Sequence, residues 1–109
     1  MDARLPAHLE VAALRRLVEA AGGFATVLRK GERDSGTILA VLAENGANLR
    51  LFERMPDAGG TRKWVLARTQ IPDDPMEFQE YLKRRQDRDP DLWIIELDIA
   101  DGERLIASV

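Results

Sequence analysis

Cysteine is absent from this chain, and histidine occurs once, as His8. Without thiols there can be no disulfide, no thiolate nucleophile and no sulfur-ligated zinc or iron–sulfur cluster, and a lone imidazole excludes multi-histidine metal sites. Net charge is also scarce. Sixteen Lys and Arg against nineteen Asp and Glu leave −3, too little to imply a nucleic-acid or lipid partner by itself. No window approaches the roughly 18 apolar residues of a membrane-spanning helix, and the start, Met1-Asp2-Ala3-Arg4-Leu5-Pro6, carries no apolar leader. A cytoplasmic location without a membrane partner is expected.

What remains suits one packed domain. The 109 residues are 45% hydrophobic and 32% charged, which argues against disorder. Gly, Pro, Asn and Asp punctuate the whole length with no repeat, linker or low-complexity tract, so residues 1–109 are expected to form a single domain.

Residues 6–21 read as a helix, with Pro6 suited to its first turn and Gly22-Gly23 supplying the stop. Its apolar positions Leu9, Val11, Ala13, Leu14, Leu17 and Val18 spread over about half the circumference. Phe24–Lys30 and Thr37–Ala43 are β-rich runs around the turn segment Gly31–Gly36, and Ile38-Leu39-Ala40-Val41-Leu42 is apolar on both faces, as a central strand is. Asn45-Gly46 predicts a tight hairpin turn, because both central residues must take positive φ. It leads into Asn48–Met55, where Leu49 and Leu51 alternate with Arg50, Phe52 and Arg54. Pro56-Asp57-Ala58-Gly59-Gly60 then leads to a strand over Arg62–Thr69, completing a four-stranded antiparallel meander. Asp74-Pro75-Met76-Glu77 is a helix start, with Asp74 as N-cap; Phe78, Tyr81 and Leu82 form its inward stripe, and Asp89-Pro90 its end. Leu92–Ile99 is a further strand, and Asp101-Gly102 turns into an optional last one, Glu103–Ala107.

The expected fold is therefore α+β: a mainly antiparallel sheet of five or six strands with two helices, in the order α-β-β-β-β-α-β(-β). The expected core includes Leu14, Val18, Leu39, Val41, Leu51, Val65, Phe78, Leu82, Ile95 and Leu97. A right-handed crossover through the second helix is expected if the strands on either side of it lie parallel in the sheet.

Several segments together carry a likeness. Gly22-Gly23-Phe24-Ala25-Thr26-Val27-Leu28-Arg29-Lys30-Gly31, Leu51-Phe52-Glu53-Arg54, Phe78-Gln79-Glu80-Tyr81-Leu82-Lys83-Arg84-Arg85 and Asp89-Pro90-Asp91-Leu92-Trp93-Ile94-Ile95-Glu96-Leu97 resemble an uncharacterised family of small alphaproteobacterial proteins, known only as a domain of unknown function. The resemblance covers nearly the whole chain. It implies a bacterial, cytoplasmic, single-domain protein and brings no activity, cofactor or catalytic residue.

The strongest candidate constellation is the outward face of the third and fourth strands: Arg50, Phe52 and Arg54, then Arg62, Trp64, Leu66 and Arg68. Arg and aromatic enrichment is the signature of protein interfaces. It is also the combination that grips single-stranded nucleic acid through phosphate pairing and base stacking. The plainer alternative is that a helix covers these rings while the arginines reach past to solvent. Because two strands are apolar on both faces and only two helices are expected, an uncovered apolar face bearing Phe52, Trp64 and Leu66 is expected. A protein partner, most simply a second copy in a homodimer, would bury it.

Weaker patterns fare less well. Asp87, Asp89 and Asp91 match the first ligands of a calcium loop, but Leu92 replaces the required glycine and Asp98 the bidentate glutamate. The element order is similar to that of restriction-endonuclease-like nucleases, yet Pro56-Asp57 is followed by Thr61-Arg62-Lys63 with no acid two before the lysine. Glu96 and Asp98 share a strand face and, with Asp57, are the residues a carboxylate- or metal-dependent hydrolase or nuclease would use. Lys83, Arg84, Arg85 and Arg88 read as a solvated helix face with Glu80 in pairing range, and His8 as exposed and inert. Gly22-Gly23 and Gly59-Gly60 lack the strand-loop-helix context of a phosphate loop. The sequence-level reading is thus a non-enzymatic, protein-binding or self-associating domain with no cofactor and no metal. Single-stranded nucleic-acid binding and carboxylate-based hydrolysis are its alternatives.

Overall fold

The structure, a computed structural model, describes residues 5–56 and 62–109. In chain order it comprises α1 (Ala7–Ala20), β1 (Phe24–Arg29), β2 (Ile38–Glu44), β3 (Ala47–Pro56), β4 (Arg62–Thr69), α2 (Pro75–Arg88), β5 (Trp93–Asp98) and α3 (Gly102–Ile106). The fold is α+β, with one five-stranded, mostly antiparallel sheet in the order β1-β5-β2-β3-β4.

The two most buried strands occupy the middle. β2 is buried from Ile38 to Ala43, and β5 runs parallel to it from Ile38↔Trp93 to Ala43↔Asp98. β5 also pairs antiparallel with β1, Phe24 opposite Asp98 and Val27 opposite Ile95. The meander is thus three strands, β2-β3-β4, rather than four. The reason lies in Gly31–Gly36, which is not a hairpin turn. Glu32 Oε2 accepts from the amides of Asp34 (2.8 Å) and Ser35 (2.6 Å) and from Ser35 Oγ (2.9 Å), folding the loop on itself. Those hydrogen bonds hold the Glu32 carboxyl below its usual range, those from Ser35 contributing most. The loop then docks elsewhere. Asp34 O and Arg33 O accept from the first two amides of α1, Ala7 and His8 (2.9 Å each), replacing the cap that Pro6 cannot offer. A Cβ on Gly31 or Gly36 would lie 2.2 or 2.3 Å from Asp91 O, so only glycine lets the loop approach β5 this closely.

At Asn45-Gly46 both residues have positive φ, 53° and 77°, as the β2–β3 hairpin requires. α2 begins as its sequence indicates, with Pro75 in the first position and Asp74 accepting from Glu77 N at 3.3 Å. β4 and β5, which α2 connects, do run parallel, but β3 and β2 separate them.

One element is of the other type. The expected last strand, Glu103–Ala107, is the helix α3. Gly102 and Ile106, one helical turn apart, are both buried; a Cβ on Gly102 would stand 3.1 Å from Leu42 Cδ2, so α3 begins in contact with β2. A helix lets that short segment bury one stripe, whereas a strand would have needed a free edge. α1 and α3 cover one face of the sheet, where Val11, Leu14 and Val18 pack with Ile38, Leu42, Phe52, Trp93, Ile95, Leu97 and Ile106. α2 covers the other, where Phe78 and Leu82 meet Leu39, Val41, Leu49, Leu51, Leu92 and Ile94. Of the ten expected core residues only Val65 departs, at 46% exposure: it lies on the edge strand opposite Glu53, outside the ground α2 covers.

Candidate protein interface

The seven candidate residues divide between core, ion pairs and surface. Phe52 is 6% exposed and belongs to the core beneath α1 and α3, so it is no exposed anchor and only its rim reaches the surface. The expectation of a bare sheet face fails with it, because α3 supplies the third helix that the sequence reading lacked.

Around Phe52, each arginine meets a carboxylate. Arg50 pairs with Glu103 of α3 and, at 3.4 Å, with Glu44. Glu10 of α1 receives both Arg54 (2.9 Å) and Arg62, and at 11% side-chain exposure this is the most enclosed charge cluster among the described residues. The Arg54 guanidinium also lies 4.9 Å above the Trp64 ring, a cation–π contact. These arginines fasten α1 and α3 to the sheet.

Arg68 does not share their face. Leu66 opposes Phe52 while Arg68 opposes Leu51, so β4 carries an extra residue, Ala67, that turns Arg68 to the α2 side. There its guanidinium stacks 4.1 Å over Tyr81 and pairs with Glu77. A strict alternation cannot reveal a bulge, which is why the sequence placed all seven on one surface. Arg85, in the basic run, likewise serves α2: it forks onto Glu53 at 2.9 and 3.1 Å and reaches Tyr81 Oη at 3.2 Å. The bond to Glu53 raises its pKa above the ordinary arginine range.

What stays accessible is centred on Trp64. The indole is half-buried against the α1-side core, with its Nε1 turned inward and buried, and Leu66 beside it is 51% exposed. Trp64 separates two clefts. One, of about 560 Å³, is bounded by Phe52, Arg62, Lys63, Glu103 and Ile106; the other, of about 290 Å³, is bounded by Leu5, Ala13, Leu14, Ile38 and Arg54. Val109 borders both.

The remaining candidates resolve into structural roles. The two Asp98 carboxylate oxygens accept from the amides of Asn45 (2.8 Å) and Gly46 (2.9 Å), clamping the hairpin turn onto the end of β5. Asp89 accepts from Asp91 N at 3.1 Å, and His8 Nδ1 lies 3.0 Å from Arg33 O. Asp57 falls outside the described residues. Among the described residues no three His, Asp or Glu side chains gather as a metal would require, and no helix is long and apolar enough to cross a membrane. The sequence reading missed one surface: β1, whose Phe24 is 75% and Leu28 50% exposed. Its signal was the spacing of Phe24, Thr26 and Leu28.

The architecture defines a small α+β domain whose sheet is clasped between α1 and α3 on one side and α2 on the other. Residues 5–107 match the family described as a protein of unknown function, DUF1491, and the chain belongs to that family. It is similar to a DUF1491 family protein from Caulobacter crescentus CB15, whose crystal structure superposes with a TM-score of 0.79 at 33% identity over 94% of both chains. An NMR structure of a DUF1491 family protein from the same organism gives 0.77 at 32%, covering 96% of this chain and 94% of that one. A solution structure of a protein from A. tumefaciens gives 0.80 at 26%, with the same coverage. No curated protein matches.

Proposed function

We propose that this domain acts by binding another protein in the cytoplasm and catalyses no reaction, and that the partner inserts apolar side chains into the clefts on either side of Trp64. The observation that carries this reading is Trp64 itself: a half-buried indole between two clefts, with Leu66 exposed beside it. Aromatic anchors beside such clefts dominate the energetics of protein interfaces. An RNA strand would instead require free guanidinium groups, and those of Arg50, Arg54, Arg62 and Arg68 are engaged by Glu103, Glu10 and Glu77.

Random peptides displayed on phage and selected on the purified chain test this. Enriched sequences should carry aliphatic or aromatic anchors, should shift the emission of Trp64 in a Trp93→Phe background, and should lose binding at least ten-fold in Trp64→Ala. Enrichment that survives Trp64→Ala, or salt-sensitive binding of single-stranded RNA that Arg62→Ala abolishes, would overturn the reading.

A further inference from the structure

We propose that β1 is a self-pairing edge: β1 of one copy adds antiparallel to β1 of a second about a two-fold axis at Thr26, joining two five-stranded sheets into one. This surface lies at the opposite end of the sheet from Trp64 and does not depend on the function proposed for that residue.

The strand is an open edge, paired with β5 on one side only. Such edges template strand addition unless charge, proline or a short length blocks it. The opposite edge, β4, is protected by Arg62, Lys63 and Arg68 along its length and by the bulge at Ala67. From Phe24 to Leu28, β1 has no charge and no proline, and Phe24, Thr26 and Leu28 are exposed. Leu28 is the extra residue of a bulge against β5, which ends the regular edge and keeps the pairing short.

Charge selects a second copy as the occupant. The strand leaves toward Arg29, Lys30 and Arg33, of which Lys30 and Arg33 are exposed. It enters beside the carboxyl end of α1, whose last turn has exposed Glu19 and no basic residue. The edge is thus basic at one end and acidic at the other. Antiparallel pairing about Thr26 sets the basic end of each copy against the acidic end of the other, twice, whereas parallel pairing would set like against like. It also sets Ala25 across from Val27, twice about the axis, a cross-strand pair of the kind that stabilises sheets, with Phe24 at the rim beside the bulge of the other copy. A contact this short falls at the small end of specific interfaces, so a reversible dimer with a Kd on the order of 100 μM is expected.

Because the chain has no cysteine, a single introduced thiol reports the register. Under this proposal Thr26→Cys faces its own copy at a Cα separation of about 4.5–5.5 Å, within disulfide reach. It should cross-link under mild oxidation at least ten-fold faster than Phe24→Cys or, on the other edge, Thr69→Cys. Sedimentation equilibrium of the unmodified chain should show a mass rising toward two chains by about 1 mM. Thr26→Lys, exposed in the monomer, should keep the circular dichroism spectrum and weaken the dimer about ten-fold through like charge at the axis. Equal cross-linking rates at the three positions, or a dimer unmoved by Thr26→Lys, would overturn the proposal. So would a chain that stays monomeric at 1 mM, leaving the edge to a strand of some other protein.

Discussion

The two faces of the sheet are closed by different means. On the α1 side four helix residues, Ala7, Val11, Leu14 and Val18, are buried in one continuous stripe, and Ile106 of α3 extends it. On the α2 side the helix buries only Phe78 and Leu82, and the rest of its attachment is polar: Arg85 to Glu53, Arg68 to Glu77, and the guanidinium of Arg68 on Tyr81. A continuous stripe spreads the stabilisation over many small contributions. Two anchors concentrate it, and the surrounding ion pairs, partly solvated, set the helix's orientation more than they hold it down.

The sharpest way to break that contrast is at the anchor. Phe78→Ala should cost about 3–5 kcal/mol in urea denaturation, because a fully buried ring leaves a cavity that the single remaining anchor cannot close. Leu14→Ala on the stripe should cost less, about 2–3 kcal/mol, with Val11 and Val18 holding the helix in register. If the two values are reversed, the contrast between anchor and stripe is wrong. Next comes the charge that joins α1 to β3 and β4. Glu10→Ala leaves the half-buried Arg54 and Arg62 without their shared carboxylate and should destabilise by about 1–3 kcal/mol in the same assay. On the α2 side Glu53→Gln should cost about 1 kcal/mol, and less still at high salt, since both partners keep about a fifth of their side-chain surface.

The smallest effect is a pH dependence in the loop that feeds α1. Glu32 has its folded pKa below the ordinary 4.5 because Ser35 and Asp34 donate to its carboxylate. A lowered folded pKa contributes stability at pH values above the unfolded pKa, and the contribution fades as pH falls from there through the folded pKa. Thermal melts between pH 7 and pH 2 should therefore show a shallower acid limb in Glu32→Gln than in the unmodified chain, the two converging at the acid end.

Local signals reached far into the structure. Arg62–Thr69 is a strand end to end, Asp74 caps α2, and Asn45-Gly46 makes the hairpin turn, because each depends on neighbours in sequence. The strand order was not legible. Nothing between β1 and β2 announces that Glu32 will fold its loop inward, and the apolar run Trp93-Ile94-Ile95 that opens β5 asks for a neighbouring strand on each side without saying which. At the candidate site the residue types were right and their faces partly wrong. The bulge at Ala67 turned Arg68 over, and α3, read as a strand, hid Phe52. The glutamates that engage the arginines are distant in sequence, and no periodicity records such partners.

The place of β5 between β1 and β2 has a kinetic consequence. β1 is made before the meander and its strand partner among the described residues, β5, after it, Phe24 meeting Asp98 and Thr26 meeting Glu96. The β2-β3-β4 meander can assemble from local contacts as it leaves the ribosome, but β2 keeps a bare edge until β5 emerges to be inserted. High contact order of this kind slows folding and prolongs the exposure of aggregation-prone strands. During synthesis that places Ile38–Leu42 and Phe24–Leu28 unpaired in the same nascent chain, where a prolonged pause before residue 93 would favour their capture by chaperones.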